Sequence, residues 1–144
     1  MKLYNTLTGQ EDEFVPADGK TVKMYVCGVT PYSSTHVGHA LSYVIFDMLR
    51  RYLEHIGYQV KHVQNFTDVD DKIILRAATE GISEDTLVQR YIDDFFNTMD
   101  ALNIKRADSY PRATQEIPGI IETIKGLGDK GYAYPADGDV YFRV

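Results

Sequence analysis

The stretch from Cys27 to His39, CGVTPYSSTHVGH, gathers side chains that are small, polar or able to hold a ligand. Two histidines, His36 and His39, flank Val37 and Gly38. Imidazoles donate hydrogen bonds to phosphate oxygens as charge builds there, and a glycine removes the Cβ that would keep a nucleotide off the backbone. The chemistry indicated is binding and transfer at a phosphate, driven by orientation and electrostatics. The plainer alternative, two polar residues capping a helix, is weakened by the strand, glycine and cysteine that precede them. Cys27 is the single cysteine, so it forms no internal disulfide; it is a buried small residue, a nucleophile or a metal ligand. Alone it builds no metal site.

These residues need a strand before them and a helix after them. Lys23 to Cys27 is a short apolar run of strand type ended by Gly28. From Gly38 onward, Leu41, Val44, Ile45, Met48, Leu49, Tyr52, Leu53 and Ile56 recur at three-and-four spacing and predict an amphipathic helix, with Arg50, Arg51, Glu54 and His55 on its other side. Gly57 is placed to cap that helix, and Tyr58 to Val63 reads as a second strand. Strand, loop, helix and strand make a right-handed parallel crossover, hence an α/β, Rossmann-like nucleotide-binding fold with a parallel sheet. Ligands of such sheets sit beyond the carboxyl ends of the strands, where a helix N-terminus offers unpaired N–H groups: a phosphate seat.

Composition sets the outer limits. The 144 residues are 44% hydrophobic and 25% charged, ordinary for one globular domain. A net charge of −6 argues against wholesale binding of nucleic acid, though not against a local basic patch. No apolar run is long enough to span a bilayer and MKLYNTLTGQ lacks the apolar core of a secretory signal, so the expected location is the cytoplasm.

The rest of the chain reads as scaffold. Residues 1–20 suggest a strand and loop, with a turn at Asp18-Gly19. Asp70 and Asp71 are expected to cap a helix carrying Ile73, Ile74 and Ala77 rather than, with Asp68, to hold magnesium. Ser83 opens a helix whose stripe Leu87, Tyr91, Phe95 and Met99 is core rather than a base-stacking platform. Asn103 to Pro111 is a connection with a short strand. Thr114 is expected to cap a helix with Ile117, Ile120, Ile121, Ile124 and Leu127 on one side, its last turn weakened by Gly126 and Gly128. Tyr132 to Tyr134 and Asp139 to Phe142 flank a turn and predict a hairpin.

The segment MYVCGVTPYSSTHVGHA resembles the signature region of class I aminoacyl-tRNA synthetases, and its Cys-Gly-Val-Thr-x-Tyr lead-in resembles the cysteinyl-tRNA synthetase family in particular. His36 to His39 stands where that class has its HIGH motif. NTLTGQ, NFTDVDDK at Asn65 to Lys72, ALNI at Ala101 to Ile104, PRAT at Pro111 to Thr114 and KGYAY at Lys130 to Tyr134 follow in the family's order. The resemblance implies the N-terminal half of a class I synthetase fold of the HUP type: residues 1–130 from the catalytic domain and 131–144, a β-hairpin, the start of its connective insertion.

It also implies roles. Cys27 would be one of four zinc ligands, on a zinc that takes the thiolate of substrate cysteine and so tells it from serine. Gly28, Thr30 and Thr67 would line the cysteine pocket. His36, Gly38 and His39 would hold ATP, used with magnesium, and the two histidines would stabilise attack of the cysteine carboxylate on the α-phosphate. Partners would be ATP, L-cysteine and tRNA(Cys), with no membrane, and the chain a monomer. The family's remaining zinc ligands, lysine loop and tRNA-binding region lie further along than Val144, so the expectation is a fragment inactive alone with an incomplete zinc site. Lys61, His62, Lys105 and Arg106 are expected to be solvated surface more than a tRNA face. The rival readings are a mycothiol-pathway cysteine ligase, a small phosphopantetheine-type nucleotidyltransferase, and a non-catalytic nucleotide-binding or interaction domain.

Overall fold

A computed structural model describes all residues, 1–144. Its centre is a parallel pair, β3 (Thr21–Val26) and β4 (Gln59–Gln64), in register from Thr21 opposite Gln59 to Val26 opposite Gln64. Helix α1 (Val37–His55) makes the crossover between them. An amino-terminal antiparallel hairpin, β1 (Lys2–Asn5) and β2 (Gln10–Glu13), precedes this unit, where the sequence predicts a single strand and loop. The turn at Asp18-Gly19 forms as expected: the Asp18 carboxylate accepts from the Lys20 and Thr21 N–H groups, and Gly19 takes φ +71°.

A third extended segment joins β4 on its far side. Val63 bridges Ser109 and Phe66 bridges Arg112, both parallel, with Gln64 N–H donating to the Ser109 carbonyl and Phe66 N–H to that of Pro111. The short strand predicted within Asn103 to Pro111 thus exists as an extension of the parallel layer. Between β4 and this segment lie α2 (Asp71–Glu80) and α3 (Glu84–Ala101). Asp70 caps α2 through Lys72 N–H and Ser83 caps α3 through Thr86 N–H, as the sequence predicts, whereas Asp71, expected to share the capping, is the first residue of α2 itself.

The core sits where α2 and α3 meet the strands. Val26, Val29, Tyr43, Phe66, Ile73, Ala77, Leu87, Tyr91, Phe95 and Met99 belong to one buried cluster, so the α3 stripe is core as expected. Phe95 is its hub, edge-on to both Tyr43 and Phe66 at centroid separations of 5.3 and 5.5 Å.

Helix α1 departs from expectation in its orientation. The predicted apolar face is largely in water, with Leu41 and Met48 more than 60% exposed and Val44, Ile45, Tyr52 and Ile56 also exposed; only Leu53 of that set is buried. The buried face is Tyr43, Arg50 and Leu53, with Phe46 packed beside them. Arg50 is inside because it is paired: Nη1 donates to the Arg106 carbonyl at 2.7 Å and Nε to Glu54 at 3.0 Å. An apolar pattern misses such a face, since a guanidinium held by hydrogen bonds is tolerated where an unpaired charge is not. The helix ends as predicted, with Gly57 at φ +99° and Tyr58 N–H donating to the Leu53 carbonyl.

The remaining elements are a short 3₁₀ turn (Ala113–Glu116), α4 (Ile117–Asp129) and the hairpin β5 (Ala133–Ala136) and β6 (Asp139–Phe142). Asp137 and Gly138 both have positive φ, the backbone of a tight two-residue hairpin turn. Thr114 does not cap α4. It lies inside the 3₁₀ turn, where its N–H and hydroxyl both donate to Asp68, and α4 begins without a side-chain cap. Gly126 and Gly128 lie inside α4, which runs through both to Asp129.

Candidate active site at the carboxyl ends of the parallel strands

The strand ends supply the first group of residues. Beyond the last registered pair, Val26 with Gln64, the Gly28 N–H is taken by the side-chain amide oxygen of Asn65 at 2.8 Å, not by a strand carbonyl. The Asn65 amide nitrogen faces the Thr67 hydroxyl at 3.4 Å, and Thr67 N–H donates to the Val29 carbonyl at 3.1 Å. A Cβ at Gly28 would collide with the Asn65 backbone carbonyl, so only glycine permits this approach. Gly28 and Thr67 are therefore brought together. Thr30 lies two residues on, half-buried, its carbonyl accepting from Tyr32 N–H.

The amino end of α1 supplies the second group. His36 is its N-cap: Nδ1 accepts from Gly38 N–H at 3.1 Å and from His39 N–H at 3.4 Å. The simple capping role weighed from sequence is thus real for one nitrogen of His36. It also fixes the ring's tautomer, because an accepting Nδ1 leaves the proton on Nε2, which is free to donate outward. His39 stacks on His36 with centroids 3.8 Å apart and planes 18° from parallel. Its Nδ1 is buried without a hydrogen-bond partner. Burial first, and then the adjacent His36 imidazole, hold the His39 pKa below its usual value, which favours the neutral ring.

Two contacts join these groups to the scaffold. His39 and Tyr43 share one face of α1, four residues apart, and the Tyr43 hydroxyl donates to the Cys27 carbonyl at 3.3 Å. That phenol's pKa is pushed up to about 12, by burial first and by Cys27 and Tyr110 after it, so it stays a donor across the physiological range. From the other side, Asp94 of α3 accepts from Thr35 N–H at 3.1 Å, pinning the loop one residue before His36. Asn65, Tyr43 and Asp94 were not singled out by the sequence. Asn65 lies inside the NFTDVDDK stretch, whereas nothing in their local pattern marks Tyr43 or Asp94.

Cys27 is exposed at the strand end, and no set of three or more His, Cys, Asp or Glu side chains converges on a position able to hold a metal. A tetrahedral zinc site needs four donors; these residues offer one and do not fit a complete site. Asp68 and Asp70 are engaged with Thr114 and with the α2 amino end. The four basic-patch candidates are mostly committed: His62 is buried, Lys105 pairs with Glu54, and Arg106 pairs with Asp100 while lying over Phe96 at 3.8 Å. Only Lys61 remains a free surface cation of that set.

Known proteins bear on this geometry. A family model described as the tRNA synthetases class I (C) catalytic domain matches residues 13–144. A protein named cysteine–tRNA ligase from Dehalococcoides mccartyi is 60% identical over 144 residues, all of this chain and 32% of that protein. Proteins of the same name are 57% identical over 142 residues in Clostridioides difficile and 52% identical over 145 residues in Archaeoglobus fulgidus, covering 30% and 31% of those proteins. The chain thus spans about a third of the length of the curated relatives it matches. Among solved structures, Mycobacterium tuberculosis methionyl-tRNA synthetase in complex with methionyl-adenylate superimposes with a TM-score of 0.69 at 21% identity, over 85% of this chain and 29% of that one, a likeness of fold. The chain belongs to the class I (C) tRNA synthetase catalytic-domain family.

Proposed function

We propose that this family member carries the amino-terminal part of a site for ATP-dependent activation of cysteine and its transfer to tRNA(Cys). The observation that carries the reading is the His36–Gly38–His39 cap of α1 in the crossover that follows β3, together with the Gly28–Asn65–Thr67 junction at the carboxyl ends of β3 and β4. The name shared by relatives at 52 to 60% identity supports the same activity. Residues 1–130 are read as part of the catalytic domain and 131–144 as the start of a connective insertion; the working unit is a monomer of the cytoplasm.

In this reading a carboxylate oxygen of cysteine attacks the α-phosphorus of ATP. The bond from that phosphorus to the bridging oxygen breaks, and pyrophosphate leaves with the electron pair. His36 donates from Nε2 and His39 from whichever nitrogen its neutral ring protonates, toward oxygens that gain charge in the transition state. Gly38 keeps the backbone open to the nucleotide, while Gly28, Thr30 and Thr67 seat the amino acid. The adenylate's carbonyl is then attacked by a terminal hydroxyl of the tRNA and AMP departs. No side-chain nucleophile is needed. Cys27 is assigned as one ligand of a zinc site whose other donors these residues do not supply, and no step is routed through it.

The test is cysteine-dependent exchange of labelled pyrophosphate into ATP, with the protein at its natural length, whatever that adds to these residues. Exchange with cysteine and none with serine is the expected result. Exchange independent of amino acid would point instead to a nucleotidyltransferase, and its absence to a binding domain without turnover.

A further inference from the structure

Asn65 stands apart from every other polar residue near the site, because its two side-chain atoms face two different parts of the proposed amino-acid pocket. Its Oδ1 accepts from Gly28 N–H at 2.8 Å, across 37 residues of sequence, and its Nδ2 faces the Thr67 hydroxyl at 3.4 Å. Its backbone carbonyl lies where any Cβ on Gly28 would have to be. The contact falls where the β3–β4 ladder has just lost its last registered pair, so ordinary strand pairing does not fix the separation of these segments. Below this point two strands hold each other in register. Above it, an asparagine amide and the single Thr67–Val29 backbone bond do so.

We propose that Asn65 is a positioning residue for the amino-acid end of the site. Through Gly28 and Thr67 it sets the width of the cysteine pocket without touching ATP, and this rests on the cysteine-activation reading given above. The Asn65 acceptor holds the Gly28 N–H and with it the Cys27–Gly28 peptide. Its donor fixes which way the Thr67 hydroxyl presents its lone pairs and proton. Neither bond reaches the His36–His39 pair, whose own supports are Asp94 through Thr35 and Tyr43 through the strand end. Loss of Asn65 should therefore separate the two substrates kinetically.

The experiment is steady-state pyrophosphate exchange on the protein at its natural length, comparing wild type with Asn65→Ala and Asn65→Asp. Removing a hydrogen bond of this sort costs about tenfold in an equilibrium constant. Asn65→Ala is expected to raise KM for cysteine roughly tenfold while KM for ATP changes little and the unfolding midpoint falls only modestly. Asn65→Asp keeps an acceptor for Gly28 but loses the donor to Thr67, and falls between the two. The proposal is overturned by an unchanged KM for cysteine in both variants, or by KM values for cysteine and ATP that rise together with a lowered unfolding midpoint, the mark of general loosening. Should Asn65→Ala not fold, an Asn65→Asp variant with wild-type KM for cysteine overturns it by itself. A wild-type protein without cysteine-dependent exchange removes the functional reading first. In that case amide hydrogen exchange at Gly28 still decides whether Asn65 holds it: slow in wild type and fast in Asn65→Ala if so, equal in both if not.

Discussion

The parallel layer with α2 and α3 and the stretch from α4 to β6 carry equally clear apolar patterns, yet only the first converts its pattern into burial. Every buried residue of the chain precedes Asp100. Phe66, Leu87, Ile92 and Phe95 are almost wholly removed from water there. In α4 the stripe Ile117, Ile120, Ile121 and Ile124 keeps its helical spacing, but each of the four is exposed. Periodicity therefore reports that a face is able to pack; a partner surface decides whether it does. The proposed site stands on the buried region: Thr35 hangs from α3 through Asp94, and Gly28 is fastened to Asn65 directly before the Phe66 core contact.

That contrast is open to direct attack. Phe95→Ala should cost about 3–5 kcal/mol of folding stability in urea denaturation, whereas Ile121→Ala should cost under about 1 kcal/mol; comparable losses would erase the distinction. At the site, His39→Ala should lower the exchange rate constant roughly a hundredfold with little change in the unfolding midpoint. A change below about threefold would leave His39 a packing partner of His36 and no more. Asp68→Ala, which removes both bonds to Thr114, should cost roughly 1 kcal/mol. Faster amide exchange should then appear at Thr114 and not in α3, since Asp68 holds the Thr114 N–H while the neighbouring Ala113 N–H stays on the Phe66 carbonyl.

The gentlest effect concerns pH. His62 on β4 is buried with neither ring nitrogen bonded, facing Arg50 and Asp47 of α1 and Asp108 of the third parallel segment. Burial first, then the Arg50 charge, hold its pKa below the ordinary value, with the two carboxylates opposing. Between the folded and the unfolded pKa the unfolded chain binds the extra proton, so this contribution is fully present above about pH 6.5 and is lost as the pH falls below it. A urea midpoint that drops from pH 7 to pH 5.5, and drops less in His62→Gln, is the expected outcome.

The sequence made the proposed site more legible than its supports. Strand, glycine, His36 and His39 announce themselves because their residue types are unusual together, and the crossover follows from spacing alone. The caps at Asp70 and Ser83 were equally plain. The inward face of α1 was not, because Arg50 is buried by virtue of bonds to Glu54 and to a backbone carbonyl 56 residues away. Thr114 was misread for a related reason: a threonine before an apolar stripe looks like a cap, but Asp68 already serves that turn from a distance. Asn65, Tyr43 and Asp94 act through long-range contacts with the Cys27–His36 stretch. Local pattern carries no trace of that.

The most direct measurement is a crystal structure of the protein at its natural length with a non-hydrolysable cysteinyl-adenylate analogue. The expected result has the phosphate-equivalent group within hydrogen-bonding distance of the His36 Nε2 and His39 rings, with the amino-acid portion against Gly28 and Thr67. An adenylate seated away from the amino end of α1, or one whose amino acid points away from the Gly28–Asn65–Thr67 junction, would contradict it.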